Sequence, residues 1–152
     1  MNQEKNLLQE FESFSRSASL TRIMEHIAHR LHETKARYNW VGFYLVDPTD
    51  PTFLVVGPYA GSFTPNLRIP LHKGLCGAAA KSAKTIVVDD VSTDPRYLPG
   101  SSAVKSEIVV PIFSQRRFIA ELDIESYFAK TFTKPEQEFI ETCAGIVASH
   151  WE

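Results

Sequence analysis

The chain has 152 residues, of which 43% are hydrophobic and 22% are charged, a composition typical of one globular domain. Sixteen Lys and Arg residues against 18 Asp and Glu residues give a formal net charge of −2, which offers no basic footprint for nucleic acid or for an anionic membrane surface. The longest apolar run, 108–113, is far shorter than the roughly 20 residues of a membrane span, and the charged N-terminus predicts no signal peptide. Together with two cysteines, these features predict a cytoplasmic protein with free thiols.

Two helices are predicted at the start of the chain. The first is marked by apolar residues at helical spacing, Leu7, Leu8, Phe11 and Phe14. The Ser-Ala-Ser sequence at 17–19 then offers a break and an N-cap for a second helix, which should run to about Lys35. Its apolar face consists of residues at steps of three and four, Leu20, Ile23, Met24, Ile27 and Leu31.

The middle of the chain has the composition of β-strands. β-Branched and aromatic residues fill 40–46, and a turn with two prolines at 47–51 separates this strand from a second one at 52–59, so the pair is predicted to be a hairpin. A short helix is predicted at 74–82, and residues 89–102 should form a long loop, a common place for function. Further strands are predicted at 67–71, 85–88, 107–113 and 118–125.

The last helix is predicted from a capping box. Thr133 and Glu136 are three residues apart with Pro135 between them, a pattern typical of a helix N-terminus. Hairpin-joined strands between terminal helices predict one α+β domain around a largely antiparallel sheet. Its parts are the N-terminal helices in 1–37, the sheet and pocket loops in 38–130, and the C-terminal helix in 133–151. We expect one core that includes Ile23, Ile27, Phe43, Val109, Ile124, Phe139 and Cys143.

The histidines and cysteines are weak candidates for a functional site. His26, His29 and His32 lie off the apolar face of their helix with no acid or thiol at a ligand spacing, so a solvated surface is favoured over a metal site. Cys76 lies at the start of the short helix, where unpaired amides and the helix dipole could lower the pKa of its thiol. The alternative is a small side chain packed in the core beside glycines, and Cys143 is expected to be core.

Three carboxylates lie in otherwise apolar strands. Asp123 and Glu125 share one face of their strand because side chains alternate, and Glu107 lies in the strand before it. Such groups lie either on the solvent face or in a pocket, and the pattern leaves both open. Trp40 and Tyr44 likewise share one face, and their N–H and O–H groups need polar partners if they are buried.

Five segments together resemble the free methionine-(R)-sulfoxide reductases, single-domain members of the GAF family. They are NWVGFY at 39–44, LVVGPY at 54–59, KGLCGAA at 73–79, SEIVVP at 106–111 and LDIES at 122–126. The resemblance implies a six-stranded antiparallel sheet similar to that of PAS domains, with helices on one face and a ligand pocket under loops on the other. It also implies a possible homodimer paired through terminal helices, which the apolar stripe of Leu7, Phe11 and Phe14 favours.

The resemblance places a ligand pocket on Trp40, Tyr44, Glu107, Asp123 and Glu125, the last standing where the reductases have Asp. Carboxylates beside an aromatic wall suit a small amino-bearing molecule, such as an amino acid or its sulfoxide. No cofactor and no metal are expected.

This sequence differs from the resembled enzymes at the positions of their catalytic cysteines. A cysteine at the position of Cys76 is accompanied there by two others, the attacking thiol at the position of Gly100 and its resolving partner at the position of Asn66. The sequence therefore predicts a binding domain that has lost these thiols. The alternatives are a divergent L-methionine (R)-S-oxide reductase that uses Cys76, and a structural or dimerising role.

Overall fold

Six strands form an antiparallel sheet in the computed structural model, which describes residues 2–151. They are β1 Trp40–Val46, β2 Phe53–Gly61, β3 Arg68–Pro70, β4 Ile86–Val88, β5 Ser106–Ser114 and β6 Arg117–Ser126. Their order across the sheet is β3-β2-β1-β6-β5-β4, so the centre joins β1 and β6, which are far apart in the chain. The predicted α+β class and antiparallel sheet are confirmed.

Four α-helices accompany the sheet within residues 2–151. They are α1 Gln3–Ser15, α2 Leu20–Thr34, α3 Gly74–Ser82 and α4 Lys134–Ser149. The side chains of Asn2 and Ser19 accept backbone hydrogen bonds at the starts of α1 and α2, which confirms the predicted break between them. In this described part of the chain, no helix combines the length and hydropathy needed to cross a membrane.

The sheet buries an apolar cluster on each face, because its strands alternate side chains between the two sides. On one face, α1, α2 and α4 pack against β1, β5 and β6. On the other face, α3, which carries Cys76, and the loops cover Trp40, Tyr44 and Val109. All seven predicted core residues are buried. The expectation of a single core is wrong, because Val109 faces α3 while the other six lie on the opposite side of the sheet.

The capping box predicted at the start of α4 does not form. Thr133 is the N-cap, but its side chain makes no capping hydrogen bond. Glu136 instead accepts a hydrogen bond from the Tyr38 hydroxyl and lies 3.5 Å from the Nζ of Lys35. A partner distant in sequence has displaced the local one, so this carboxylate ties α4 to the connection between α2 and β1.

The N-terminal apolar stripe is covered by the chain itself. Leu7 and Phe11 are buried in the cluster under the helices, and the Phe14 ring stacks on the imidazole of His26 at a centroid distance of 4.1 Å. His26 is half-buried and bonded to the Glu10 carboxylate at 2.7 Å, so it is not a solvated side chain as expected. The argument that this stripe needs a second subunit is therefore wrong, and the homodimer stays a prediction without that support.

Two glycines test how tightly the α3 face of the sheet is packed. A Cβ on Gly42 would lie 2.4 Å from Cη2 of Trp40 and 2.7 Å from Cβ of Tyr59, whereas a Cβ on Gly145 of α4 would have no atom within 4 Å. We expect Gly42→Ala to lower the free energy of unfolding by about 1–3 kcal/mol through overpacking. Gly145→Ala should raise it by about 0.5–1 kcal/mol through helix propensity. Denaturant titration measures both, and equal effects would contradict the packing of Trp40 over Gly42.

Candidate functional site

The register of the sheet brings the predicted carboxylates together. Trp40 pairs with Glu125 across β1 and β6, and Glu125 pairs with Glu107 across β6 and β5. Asp123 lies in the next row, opposite Gly42, whose missing side chain leaves space for the Trp40 ring. The carboxylates are 5%, 2% and 7% exposed for Glu107, Asp123 and Glu125. They therefore lie inside the protein, and not on its solvent face.

A cavity of about 20 Å³ is lined by these carboxyl groups, by α3 and by the neighbouring loops. It has room for about one water molecule. A ligand of amino-acid size would therefore need the covering segments to move aside. The lining residues are Tyr44, Asn66, Ile69, Lys73, Gly74, Leu75, Cys76, Leu98, Glu107, Asp123 and Glu125.

Aromatic rings cluster around Trp40, and of these Tyr44 lines the cavity. The Trp40 indole lies 6.0 Å from both the Tyr44 ring and the Phe63 ring, and 5.5 Å from the Tyr59 ring, measured between centroids. The Tyr44 hydroxyl donates to the backbone carbonyl of Asn66 at 2.7 Å. Tyr59 and Phe63 were missed by the sequence analysis. Phe63 follows β2 in a loop, where no periodic pattern could have identified it.

Several buried polar atoms around the cavity lack a hydrogen-bond partner within residues 2–151. They include Nε1 of Trp40, Oδ1 of Asp123 and Oε1 of Glu125. The Tyr97 hydroxyl, from the predicted functional loop, lies near the Gly100 amide and has no acceptor for its proton. An unpaired buried polar group costs about 1–3 kcal/mol, so the site combines donors and acceptors that a polar ligand would satisfy.

A fourth carboxyl group, missed by the sequence analysis, belongs to the same cluster. Glu121 is fully buried, lies two residues before Asp123 on the same face, and has no hydrogen-bond partner for either oxygen within the described chain. The period of two that joined Asp123 to Glu125 would have identified it. We call Glu107, Glu121, Asp123 and Glu125 the carboxylate cluster.

Burial makes the carboxylate cluster weakly acidic. Burial raises the pKa of Asp123 from 3.8 to about 6, against the opposing effect of its hydrogen bonds to Glu107 and Glu125. Burial is the main cause that raises the pKa values of Glu107 and Glu125 well above the ordinary range for Glu. Repulsion by Asp123 and neighbouring carboxylates adds to this increase. Burial likewise raises the pKa of Glu121. The cluster therefore holds protons at a pH where exposed carboxyl groups have lost them, and a cation would displace these protons.

The environment of Cys76 disfavours its thiolate. Cys76 lies in the first turn of α3, as predicted, but its side chain faces the carboxylate cluster. Burial raises the pKa of this thiol well above its ordinary value, and the charges of Glu121, Asp123 and Glu107 add to the increase. The expected lowering of the pKa is therefore wrong, because desolvation and repulsion outweigh the helix dipole. Cys143 is buried on the other face of the sheet, where burial also raises the pKa of its thiol.

The positions of Asn66 and Gly100 lie close together at the edge of the cavity. The Asn66 side-chain amide donates to the backbone carbonyl of Pro99 at 3.4 Å. A Cβ on Gly100 would lie 3.7 Å from Oε1 of Glu125 and 3.1 Å from the Phe63 ring. Both positions to which the resemblance assigns redox thiols therefore adjoin the carboxylate cluster.

Comparison with known families gives one match over most of the chain. The sequence profile of the GAF domain matches residues 19–151. The GAF domain-containing protein A of Dictyostelium discoideum is 37% identical over 108 residues, which are 70% of this chain and 66% of that protein. The free methionine-R-sulfoxide reductase of Saccharomyces cerevisiae is 34% identical over 110 residues, 72% of this chain and 61% of the yeast protein. The match thus spans just under two thirds of each of these relatives.

Solved structures agree with the sequence comparison. The free methionine-R-sulfoxide reductase of Neisseria meningitidis, solved in complex with its substrate, superposes with a TM-score of 0.90 at 33% identity. The superposition covers 97% of this chain and 87% of the Neisseria chain. The similarity therefore includes α3, the loops over the cavity and the strands that carry the carboxylate cluster.

The raised pKa of Asp123 predicts a pH dependence of stability. Because the folded protein holds this proton up to about pH 6 and the unfolded chain releases it near 3.8, the free energy of unfolding should fall as the pH rises through this window. Asp123→Asn should remove up to about 3 kcal/mol of that fall, and so be more stable than the wild type at neutral pH. Denaturant titrations from pH 4 to pH 8, in chelator and without added ligand, measure the difference.

The control for this measurement is Asp94→Asn. Hydrogen bonding to Arg96 lowers the pKa of Asp94, so the contribution of this residue is lost only at acidic pH and the fall towards neutral pH should persist. A wild-type protein that becomes steadily more stable from pH 5 to pH 8 would contradict the assigned protonation.

Proposed function

Because this chain belongs to the GAF domain family, we propose that it is a binding domain that holds a small amino-bearing metabolite against its carboxylate cluster without reducing it. The observation that carries the proposal is the set of buried acids Glu107, Asp123 and Glu125. None of them takes part in an ion pair within residues 2–151. Buried carboxylates are costly without a positive partner, and an ammonium group supplies one.

The other groups around the cavity suit a ligand that is both cationic and a hydrogen-bond acceptor. The Trp40 N–H and the Tyr97 O–H lack acceptors, and a carboxylate or sulfoxide oxygen would provide them. The Trp40 and Tyr44 rings would contact an apolar or cationic part of the ligand. A free amino acid or its sulfoxide has all these groups. Methionine sulfoxide is the first candidate, because the similar Neisseria protein is a reductase solved with its substrate.

The thiols argue against turnover. Sulfoxide reduction by cysteine needs a nucleophilic thiol and a second thiol that releases it as a disulfide. The positions where the resemblance places these thiols hold Gly100 and Asn66. Cys76 is buried among carboxylates that disfavour its thiolate, and Cys143 lies across the sheet from it. A reductase based on Cys76 would need an external thiol to reach a cavity of about 20 Å³.

Calorimetry of methionine-(R)-sulfoxide binding tests the proposed role of Asp123. Asp123→Asn should weaken binding by about 1–3 kcal/mol, the scale of one hydrogen bond to a charged group. N-acetylmethionine sulfoxide, which lacks the ammonium group, should bind the wild type at least as weakly as the sulfoxide binds the variant. Glu141→Gln is the matched control, because Glu141 lies on α4 and bonds to Thr85 and Gln137 away from the cavity. Equal affinities for wild type and Asp123→Asn would rule out this role.

A thioredoxin-coupled assay that follows NADPH oxidation tests the loss of turnover. We expect negligible reduction of free methionine-(R)-sulfoxide by the wild type. Because both positions adjoin the carboxylate cluster, the double variant Gly100→Cys with Asn66→Cys is the change that should create activity. Each single variant should show no turnover, because it lacks the complete thiol pair. Wild-type turnover that disappears in Cys76→Ser would instead identify Cys76 as the nucleophile and overturn the proposal.

A further inference from the structure

We propose that Cys76, Glu107 and Asp123 form a binding site for a divalent metal ion, with Zn²⁺ as the ion they suit. Each residue offers one ligand atom, a thiol sulfur or a carboxylate oxygen, and these atoms all lie within 4.8 Å of one another. The three residues come from α3, β5 and β6, so the fold and not a local sequence motif brings them together. This site goes beyond the proposed binding of an amino-bearing metabolite.

The donor set matches the chemistry of zinc. Zn²⁺ binds cysteine sulfur at about 2.3 Å and carboxylate oxygen at about 2.0–2.2 Å, usually with tetrahedral geometry. Two such ligands on one ion are about 3.6 Å apart, by trigonometry from those bond lengths. Atoms within 4.8 Å of one another reach that separation by side-chain shifts on the order of 1 Å. The thiolate favours zinc over magnesium and calcium, which prefer oxygen ligands alone.

Unpaired buried oxygens provide independent support for a cation. Asp123 is 2% exposed and its Oδ1 has no hydrogen-bond partner in the part of the chain that the structure describes. Oε1 of Glu125, which lines the same cavity, is likewise without a partner in residues 2–151. A buried acid in this state either keeps a proton or meets a positive charge. A metal ion bound to three neighbouring groups would supply that charge at the place where it is missing.

The cavity provides the remaining coordination position. Cys76, Glu107 and Asp123 all line the space of about 20 Å³, which accommodates about one water molecule. Three protein ligands with one water is the arrangement of zinc sites that keep a position open. The site is therefore of the open kind, in which a small molecule can replace the water.

Close packing fixes Cys76 over the carboxylates. A Cβ on Gly77, the next residue of α3, would lie 2.6 Å from the carbonyl carbon of His72 and 2.9 Å from the carbonyl oxygen of Leu71. The first turn of α3 thus lies directly against the backbone that precedes it. Rigid ligands lose little conformational entropy when they bind an ion, which favours a site with three protein ligands.

The binding reaction is a proton exchange without a change of oxidation state. A metal–sulfur bond forms as the S–H bond of Cys76 breaks, and the proton leaves to the solvent. Protons held by Glu107 or Asp123 leave in the same way as oxygen–metal bonds form. No oxidant, reductant or second substrate is needed.

Cobalt(II) is the probe for the experiment, because a thiolate bound to Co²⁺ absorbs in the near ultraviolet by charge transfer. We expect this absorption when Co²⁺ is added to chelator-treated protein in buffer with a non-thiol reductant, and its loss on addition of Zn²⁺. Cys76→Ser should abolish the absorption, and Cys143→Ser, which removes the buried thiol across the sheet, should retain it. Glu107→Gln and Asp123→Asn should each weaken binding at least about tenfold, the lower end for groups that merely support a metal ligand.

Outcomes that overturn the site do not depend on the folding of any cluster variant. A folded wild type without charge-transfer absorption at saturating Co²⁺ rules it out, as does absorption that Cys143→Ser removes while its circular dichroism is unchanged. These titrations contain no amino acid, and the sulfoxide calorimetry is to be run in buffer with chelator, so failure of the metal site and failure of the proposed function are separate results. If both occupants bind, Zn²⁺ should lower the apparent affinity for methionine sulfoxide, because they share Asp123 and Glu107.

Discussion

The burial of four carboxyl groups on one face of β5 and β6 is the constraint on which this molecule depends. Burying each carboxyl group removes an acid from water. The rest of this 152-residue fold must therefore offset a large desolvation cost. The opposite face of β6 does this with Ala120, Leu122 and Ile124, which pack under the terminal helices. The apolar face of β6 thus stabilises the fold, and its acidic face forms the candidate site.

Much of this arrangement can be predicted from the sequence wherever it depends on neighbouring residues of one strand. Strand alternation places Asp123 and Glu125 on one face, and the same rule includes Glu121. The pairing of Glu107 with Glu125 depends on the register of β5 and β6, which contains an irregularity at 112–113 that no sequence pattern marks. Tyr97 lies in the loop that the sequence analysis singles out as a common place for function, yet the position of its hydroxyl follows from the folded loop alone.

Two predictions from local sequence patterns were wrong, because groups distant in the sequence interact more strongly with the residues concerned. Thr133 and Glu136 have the spacing of a capping box, but Tyr38 and Lys35 provide Glu136 with better partners. Cys76 occupies a helix N-terminus, where a thiolate is usually favoured, but burial, and after it carboxyl groups from β5 and β6, raise the pKa of its thiol instead. Both cases concern charges, whose partners come from parts of the chain that sequence proximity does not reveal.

The small volume of the cavity has a kinetic consequence. Under the proposed function, a space for about one water molecule is too small for a ligand of amino-acid size, so each binding event would require the segments around Asn66 and Leu98 to separate. At high ligand concentration, the observed association rate then approaches the opening rate of those loops instead of rising without limit. Escape waits for the same event, so residence times will be long relative to the strength of the individual contacts. Under the proposed function, the protein would therefore release its ligand slowly, on the timescale of its own motions.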